Sequence, residues 1–283
     1  MRRILTAVLA VVLVLALAGI TLAKEPVIIN MFVGMDQTGA NRTLVEMFNA
    51  AHDDIKINYQ EMPPSSTEQH DKYVTVLAAR DSSIDVFAVD MPWAPEFASA
   101  GWLLPLDDMF TDKDEFFEGT LLGTTYMGKI YAVPWFNNAG MLFYRKDVLE
   151  AAGVEPPRTF DEFVEVTKKL QTEDMYGFVW QGKQYEGLVC DWLEIYFGMG
   201  GRIIDGQGNL IADQKIMADS LQWMGDLILK HKISPAAVTT WQENESQTVF
   251  LDGRSVFHRG WPSVYANGQN PNMSKIVGKI GII

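Results

Sequence analysis

Residues 26–59 read PVIINMFVGMDQTGANRTLVEMFNAAHDDIKINY. The segment opens on a β-branched apolar run, Pro26–Val33, suited to a strand, and Gly34-Met35-Asp36-Gln37-Thr38-Gly39 breaks it. Behind Asn41, a residue type that caps helices, Leu44, Val45, Phe48 and Ala51 recur at helical spacing. Ile55–Tyr59 then alternates apolar with polar, as a half-buried strand does. A second helical stretch, Tyr73–Ala79, precedes Asp85–Val89 (DVFAV), whose short, apolar, β-rich composition reads as a buried parallel strand. Strands alternating with helices predict a wound α/β sheet, and ligands of such sheets sit beyond the carboxyl ends of the strands. Two loops qualify on that ground: Gly34–Gly39, and Asp90-Met91-Pro92-Trp93.

The rest of the chain continues the pattern. Lys129–Pro134 is extended and apolar, and it runs through Trp135-Phe136-Asn137-Asn138-Ala139-Gly140 into a strand at Met141–Tyr144, the form of a crossing between two lobes. Lys146–Ala152 is a short helix stopped by Gly153, and Thr159-Phe160-Asp161-Glu162 is a capping box that opens a helix through Leu170. Tyr176–Trp180 reads as a strand and Tyr185–Phe197 as a helix that stops at Gly198-Met199-Gly200-Gly201. Residues 202–211 carry a hairpin signal, and residues 216–230 an amphipathic helix with Met217, Leu221, Met224 and Ile228 on one face. Glu245–Leu251, Asp252-Gly253 and Ser255–Phe257 give helix, turn and strand, and Lys279–Ile283 is strand-like with no helix after it to cover it.

Ahead of this, Arg2 and Arg3 precede an apolar run from Ile4 to Leu17 and a Thr21-Leu22-Ala23 triplet, the pattern of a Sec-type signal peptide over residues 1–23. An uncleaved membrane anchor is the alternative reading. No cysteine stands where a lipoprotein would be acylated, so a soluble protein outside the inner membrane, periplasmic or extracellular, is expected. The chain's formal charge of −13 becomes −15 once Arg2 and Arg3 leave with the leader, a surface that repels nucleic acid and anionic lipid. Cys190 is the sole cysteine, so no internal disulfide can form and the core alone must hold the fold.

Motifs for catalysis are scarce. His52, His70, His231 and His258 do not share the short spacings of zinc sites, and no nucleophile elbow, metalloprotease helix or P-loop occurs. The glycines at 198–201 follow a helix where a dinucleotide fingerprint requires a strand. Paired carboxylates of a glycosidase are not legible among 36 acidic residues. The aromatic content points elsewhere. Trp93, Trp135, Trp180, Tyr185 and Trp261 fall in or beside predicted loops and strand ends, and Trp93 beside Asp90 and Trp135 beside Asn138 pair a ring with a planar polar group. Sugars present flat C–H faces to rings and hydroxyls to such groups, although core filling is the commoner use of any one ring.

At Gly128-Lys129-Ile130-Tyr131-Ala132-Val133-Pro134, followed by Asn138–Leu149 (NAGMLFYRKDVL), the chain resembles the extracellular solute-binding proteins of ABC importers, the maltose/trehalose branch in particular. Asp85–Asp90, Thr159–Phe163, Val249–Ser255 and Gly260-Trp261-Pro262 extend the likeness over residues 26–283. The resemblance implies a two-lobed, type II periplasmic-binding-protein-like α/β fold, each lobe a wound sheet flanked by helices. The lobes would cover residues 24–132 and 133–278, with a hinge near 131–136 and the start of a second hinge crossing at 279–283. It implies binding of a maltose-, trehalose- or maltodextrin-like oligosaccharide by a monomer, with no chemistry, cofactor or metal, and delivery to the membrane subunits of an ABC transporter. A secreted glycoside-active enzyme or a sugar sensor subunit is the alternative. By position, Asp36, Gln37, Asp90 and Trp93 would face the sugar from the first lobe, Asn138 from the hinge, and Tyr185 and Trp261 would stack on it from the second. Asn138 stands where several relatives carry a carboxylate. Relatives also continue past Lys279–Ile283 with elements that complete the first lobe, so the chain is expected to be incomplete at its C-terminus.

Overall fold

A computed structural model describes residues 25–36 and 38–283. The expected signal peptide and Gln37 lie outside the described residues. The first half is built on strand β1 (Val27–Gly34), helix α1 (Ala40–Ala51), strand β2 (Ile55–Met62), helix α2 (Ser66–Ala78), strand β3 (Val86–Phe87) and helix α3 (Trp93–Ser99). The strands form one parallel sheet in the order β2-β1-β3, with Val27 opposite Ile55 and Met31 opposite Val86. The βαβ unit quoted above is therefore present, and β2 runs three residues beyond the predicted IKINY.

This half has a small core in which Phe32, Met62, Tyr73, Trp93 and Phe97 pack together. DVFAV is parallel as expected but not buried: only Val86 and Phe87 pair, and Val86 is exposed, because β3 is the edge of a sheet incompletely covered among the described residues. Helix α1 has no buried residue, and its Met47 is 63 % exposed. Its N-terminus also differs from expectation. Gly39, at φ 75°, precedes the helix, and the Asp36 carboxylate, not the Asn41 side chain, accepts the Asn41 N–H at 2.6 Å. A carboxylate there complements the positive end of the helix.

Short helix α4 (Glu118–Gly123) and the small hairpin β4 (Thr125–Tyr126) and β5 (Lys129–Ile130) lead to an extended segment without regular structure over residues 131–140. Strand β6 (Met141–Arg145) follows, then helices α5 (Lys146–Ala152) and α6 (Phe160–Leu170), strand β7 (Tyr176–Val179), and helices α7 (Glu186–Gly198), α8 (Gln214–Leu229) and α9 (Glu243–Leu251). Strand β8 (Ser255–Gly260), helix α10 (Ser263–Gln269) and strand β9 (Ile280–Ile282) complete the order. Gly153 ends α5 at φ 62°, where a Cβ would strain the backbone. Thr159 caps α6 by accepting the Glu162 N–H at 3.1 Å, the forward half of the predicted capping box, while Glu162 Oε2 accepts from the Arg158 N–H and not from that of Thr159.

The second sheet has the order β7-β8-β6-β9, with β8 parallel to β7 and antiparallel to β6. Neighbouring residues of β7 join different clusters: Phe178 packs with Phe163, Trp180 and Phe257, and Val179 with Phe143, Phe250 and Ile280. Side chains alternate across a strand, so this sheet is covered on both faces. Residues 202–211 narrow to one bridge, Ile204 with Leu210, around a turn held by Asp205. The buried stripe of α8 is Ser220, Met224 and Leu227, whereas Leu221 is exposed. The buried face is rotated from the predicted one because Ser220, which accepts the Trp192 indole N–H at 2.8 Å, takes a buried position that hydrophobicity alone assigns elsewhere.

Candidate functional site

Among the described residues, Asp36, Asp90, Trp93, Tyr185 and Trp261 sit at strand ends or helix starts, and Asn138 lies in the extended segment before β6. Asp36 lies in the loop after β1, where its carboxylate accepts from the Thr38 N–H and hydroxyl as well as from Asn41. Partial burial raises its pKa, but these hydrogen bonds and one from the Gly39 backbone outweigh it and hold the carboxyl below its ordinary value. Asp36 thus shapes its loop first. The loop is tied onward, since Asn41 Oδ1 accepts from the indole Nε1 of Trp135 at 3.1 Å, while the Trp135 ring itself is 58 % exposed.

Asp90 follows β3 and is exposed, with one oxygen held by the Met91 N–H at 2.8 Å. The surrounding protein nevertheless desolvates it enough to raise its pKa, and the Glu186 carboxylate pushes the same way despite the Met91 hydrogen bond. Glu186 belongs to the other sheet's half, at the start of α7. Water-accessible yet crowded, with a like charge opposite, is the condition of a carboxylate in a cleft.

Glu186 also joins the two halves directly. Ser66 Oγ, at the start of α2, donates to Glu186 Oε2 at 2.9 Å, and the Glu186 N–H donates to Thr67 Oγ1 at 3.3 Å. The Cys190 thiol, one turn on, donates to the other carboxylate oxygen at 2.7 Å.

Tyr185 precedes α7 and is partly buried. Its ring lies against Gly187, where a Cβ would overlap the phenol. Burial, together with Glu243, Asp191 and Glu186 around it, drives the phenol's pKa far up, so it stays a neutral hydroxyl. The hydroxyl lies beside Glu243 without closing a well-formed hydrogen bond. Gln181, fully buried, donates to Glu243 at 3.3 Å and leaves its carbonyl oxygen unpaired.

Trp261 follows β8 and is partly buried. The Arg259 guanidinium lies 4.0 Å from its ring centroid, within cation–π range. Arg259 is in turn 5 % exposed, with Nε 3.0 Å from Asp191 and from Glu194, both on α7. Asp191 is 4 % exposed; burial raises its pKa well above its ordinary value against the opposing pull of Arg259. Asn138 is exposed two residues before Gly140, and Gly140 lies so close to the Glu194–Arg259 pair that a Cβ there would overlap both side chains.

The structure thus brings Asp90, Tyr185 and Trp261 around one network of Glu186, Asp191, Glu194, Glu243 and Arg259, with the Asn138 segment packed against it. Trp93 does not join them. It is 7 % exposed and sits among His70, Tyr73 and Phe97, because as first residue of α3 it turns inward to fill the thin core of the first half. Trp180 is likewise core, its indole donating to Ser234 at 3.1 Å. No motif in the sequence marks the network's own residues. The signal for them was a lone arginine ending a buried strand and two acids three apart on one helix. An open hollow of about 360 Å³ lined by Phe197, Gly200, Gly201, Arg202, Ile203 and Ile204 lies at the far end of α7 and includes none of these residues.

Two lobes, each a sheet with helices, meeting at a cleft lined by rings and carboxylates, define a type II periplasmic-binding-protein-like fold. Residues 36–283 match the family model of the bacterial extracellular solute-binding protein, and the chain belongs to that family. Maltose-bound MalE3 of T. maritima superposes with a TM-score of 0.84 at 42 % identity, over 91 % of this chain and 66 % of that one. A "Probable ABC transporter-binding protein" of Deinococcus radiodurans is 36 % identical over 78 % of this chain and 54 % of its own length. The maltotriose-binding protein of Pyrococcus abyssi is 26 % identical over 76 % of this chain and 44 % of its own. The chain therefore spans about half the length of these curated relatives.

Proposed function

We propose that this chain is an extracytoplasmic binding protein for a maltose-, trehalose- or maltodextrin-like oligosaccharide, which it presents to the membrane subunits of an ABC importer. The observation that supports the reading is that Asp90 of the first half and Tyr185 of the second both neighbour Glu186, which bonds Ser66 and Thr67 across the two halves, while Arg259 stands over Trp261. A ring flanked by carboxylates suits a ligand with apolar faces and many hydroxyl donors, and the similarity to maltose-bound MalE3 supports the same class. On this reading Asp36 and Asn138 line the cleft margins, residues 131–136 act as the hinge, and the lobes divide there. The ligand is held rather than cleaved, and closure around it is the state that the membrane partners recognise.

Tryptophan fluorescence titration with maltose, trehalose and maltotriose tests this. A saturable change with sugar recovered intact is expected, and Asp90→Ala and Trp261→Ala each weaken it while the circular dichroism of the fold is kept. Released monosaccharide would replace this reading with a glycosidase, and loss of secondary structure in both variants would return these side chains to a purely structural role.

A further inference from the structure

Arg259 is an unusual residue to find at the end of a strand whose six residues are all buried. Burying a guanidinium is costly unless it is paired, and here the whole pairing comes from one helix: Asp191 and Glu194 lie one turn apart on α7. The fork grips Glu194 with both prongs, Nε and Nη2, Asp191 lies 3.0 Å from Nε without closing a hydrogen bond, and the guanidinium carbon stands over the Trp261 ring, 4.0 Å from its centroid. Gly140 closes the far side, since any side chain there would collide with Glu194 and Arg259.

We infer that Arg259 is a positioning residue of the ligand site: held by the two-pronged grip on Glu194, it supports the Trp261 ring from behind, so that the opposite face is presented to the sugar. The inference rests on the sugar-binding reading above. The site uses Trp261 through its orientation as well as its area, and the orientation is set by α7, the same helix that carries Glu186 across the cleft. A lysine at 259 keeps the charge for Asp191 and Glu194 but loses the flat stacking surface and the two-pronged grip.

The test is a double-variant cycle on the full chain, with maltotriose affinity measured by calorimetry for wild type, Arg259→Lys, Trp261→Ala and the double variant. Arg259→Lys is expected to weaken binding about tenfold, which corresponds to about 1.4 kcal/mol, and to add nothing once Trp261 is already alanine. It should also diminish the near-ultraviolet circular-dichroism band that Trp261→Ala removes. An equal loss in both backgrounds, or no loss in either, overturns the inference while leaving the sugar site standing. Unchanged affinity in Trp261→Ala alone removes the site and the inference together. Should Arg259→Lys yield little folded protein, Glu194→Gln, which loosens one anchor at a partly exposed position, must show the same non-additivity.

Discussion

Removing the Ser66 hydroxyl should loosen the cleft by an amount the structure sets. Ser66 Oγ donates to a charged, partly buried acceptor, Glu186 Oε2, at 2.9 Å. Hydrogen bonds to charged groups contribute about 1.5–3 kcal/mol net, and partial exposure of the pair lowers this to about 1–2 kcal/mol. Glu186 keeps its backbone contact to Thr67 and its bond from Cys190, so Ser66→Ala removes this bond and leaves the others. A loss of that size shifts the closed-to-open ratio by about 5- to 30-fold, since 1.4 kcal/mol is a factor of ten. A ligand that binds the closed form then shows a matching rise in Kd wherever the open form predominates without it. Small-angle X-ray scattering with and without saturating maltotriose, beside calorimetric affinities, measures both. A radius of gyration and a Kd unchanged from wild type would show that the Ser66–Glu186 contact does not hold the two halves together.

Three further outcomes are expected. Gly140→Ala places a methyl group against Glu194 and Arg259 and should cost about 1–3 kcal/mol, read as a fall of several degrees in Tm, with weakened sugar binding through the displaced network. Thr159→Ala removes the cap of α6 and should cost about 0.5–2 kcal/mol in thermal or urea unfolding without altering sugar affinity. Burial lowers the pKa of His258 from 6.5 to about 3, against the Val179 carbonyl that favours its proton, so between those values the unfolded chain binds the extra proton. The stabilisation is therefore complete above about pH 6.5 and is lost as pH falls towards 3. His258→Asn should flatten the urea-derived stability profile across that window, by up to about 1.4 kcal/mol per pH unit. The opposite slope contributed by Asp191, whose carboxyl stays protonated longer in the folded state, cancels in the difference between the two proteins.

The elements most legible in the sequence were those with local chemistry of their own. The α6 capping box, the Gly153 stop and the Val27–Gly34 strand fall within a residue or two of expectation, because caps, glycine and β-branched runs act through neighbours. Burial was less legible. Trp93 and Trp180, candidate ligand-facing rings by sequence, are core, because a ring's direction is decided by which partner element arrives beside it, and Tyr73 and Ser234 are distant in the chain. The sequence likewise gives no sign that Asp36 also shapes its own loop, its oxygens accepting from Thr38 and Asn41. The positions of Asp90, Tyr185 and Trp261 at element ends could be anticipated, whereas the charged network joining them, assembled from α7, α9 and β8, had no local signature.

The order β7-β8-β6-β9 also governs when the second half can begin to fold. β6 and β7 do not pair with each other, and both depend on β8, whose first residue is Ser255. During synthesis at about 5–20 residues per second, roughly 5–20 s separate the emergence of β6 from that of its central partner. Throughout that interval the second half offers strands and no finished sheet, so β6 and β7 wait, unpaired with each other, until the central strand arrives.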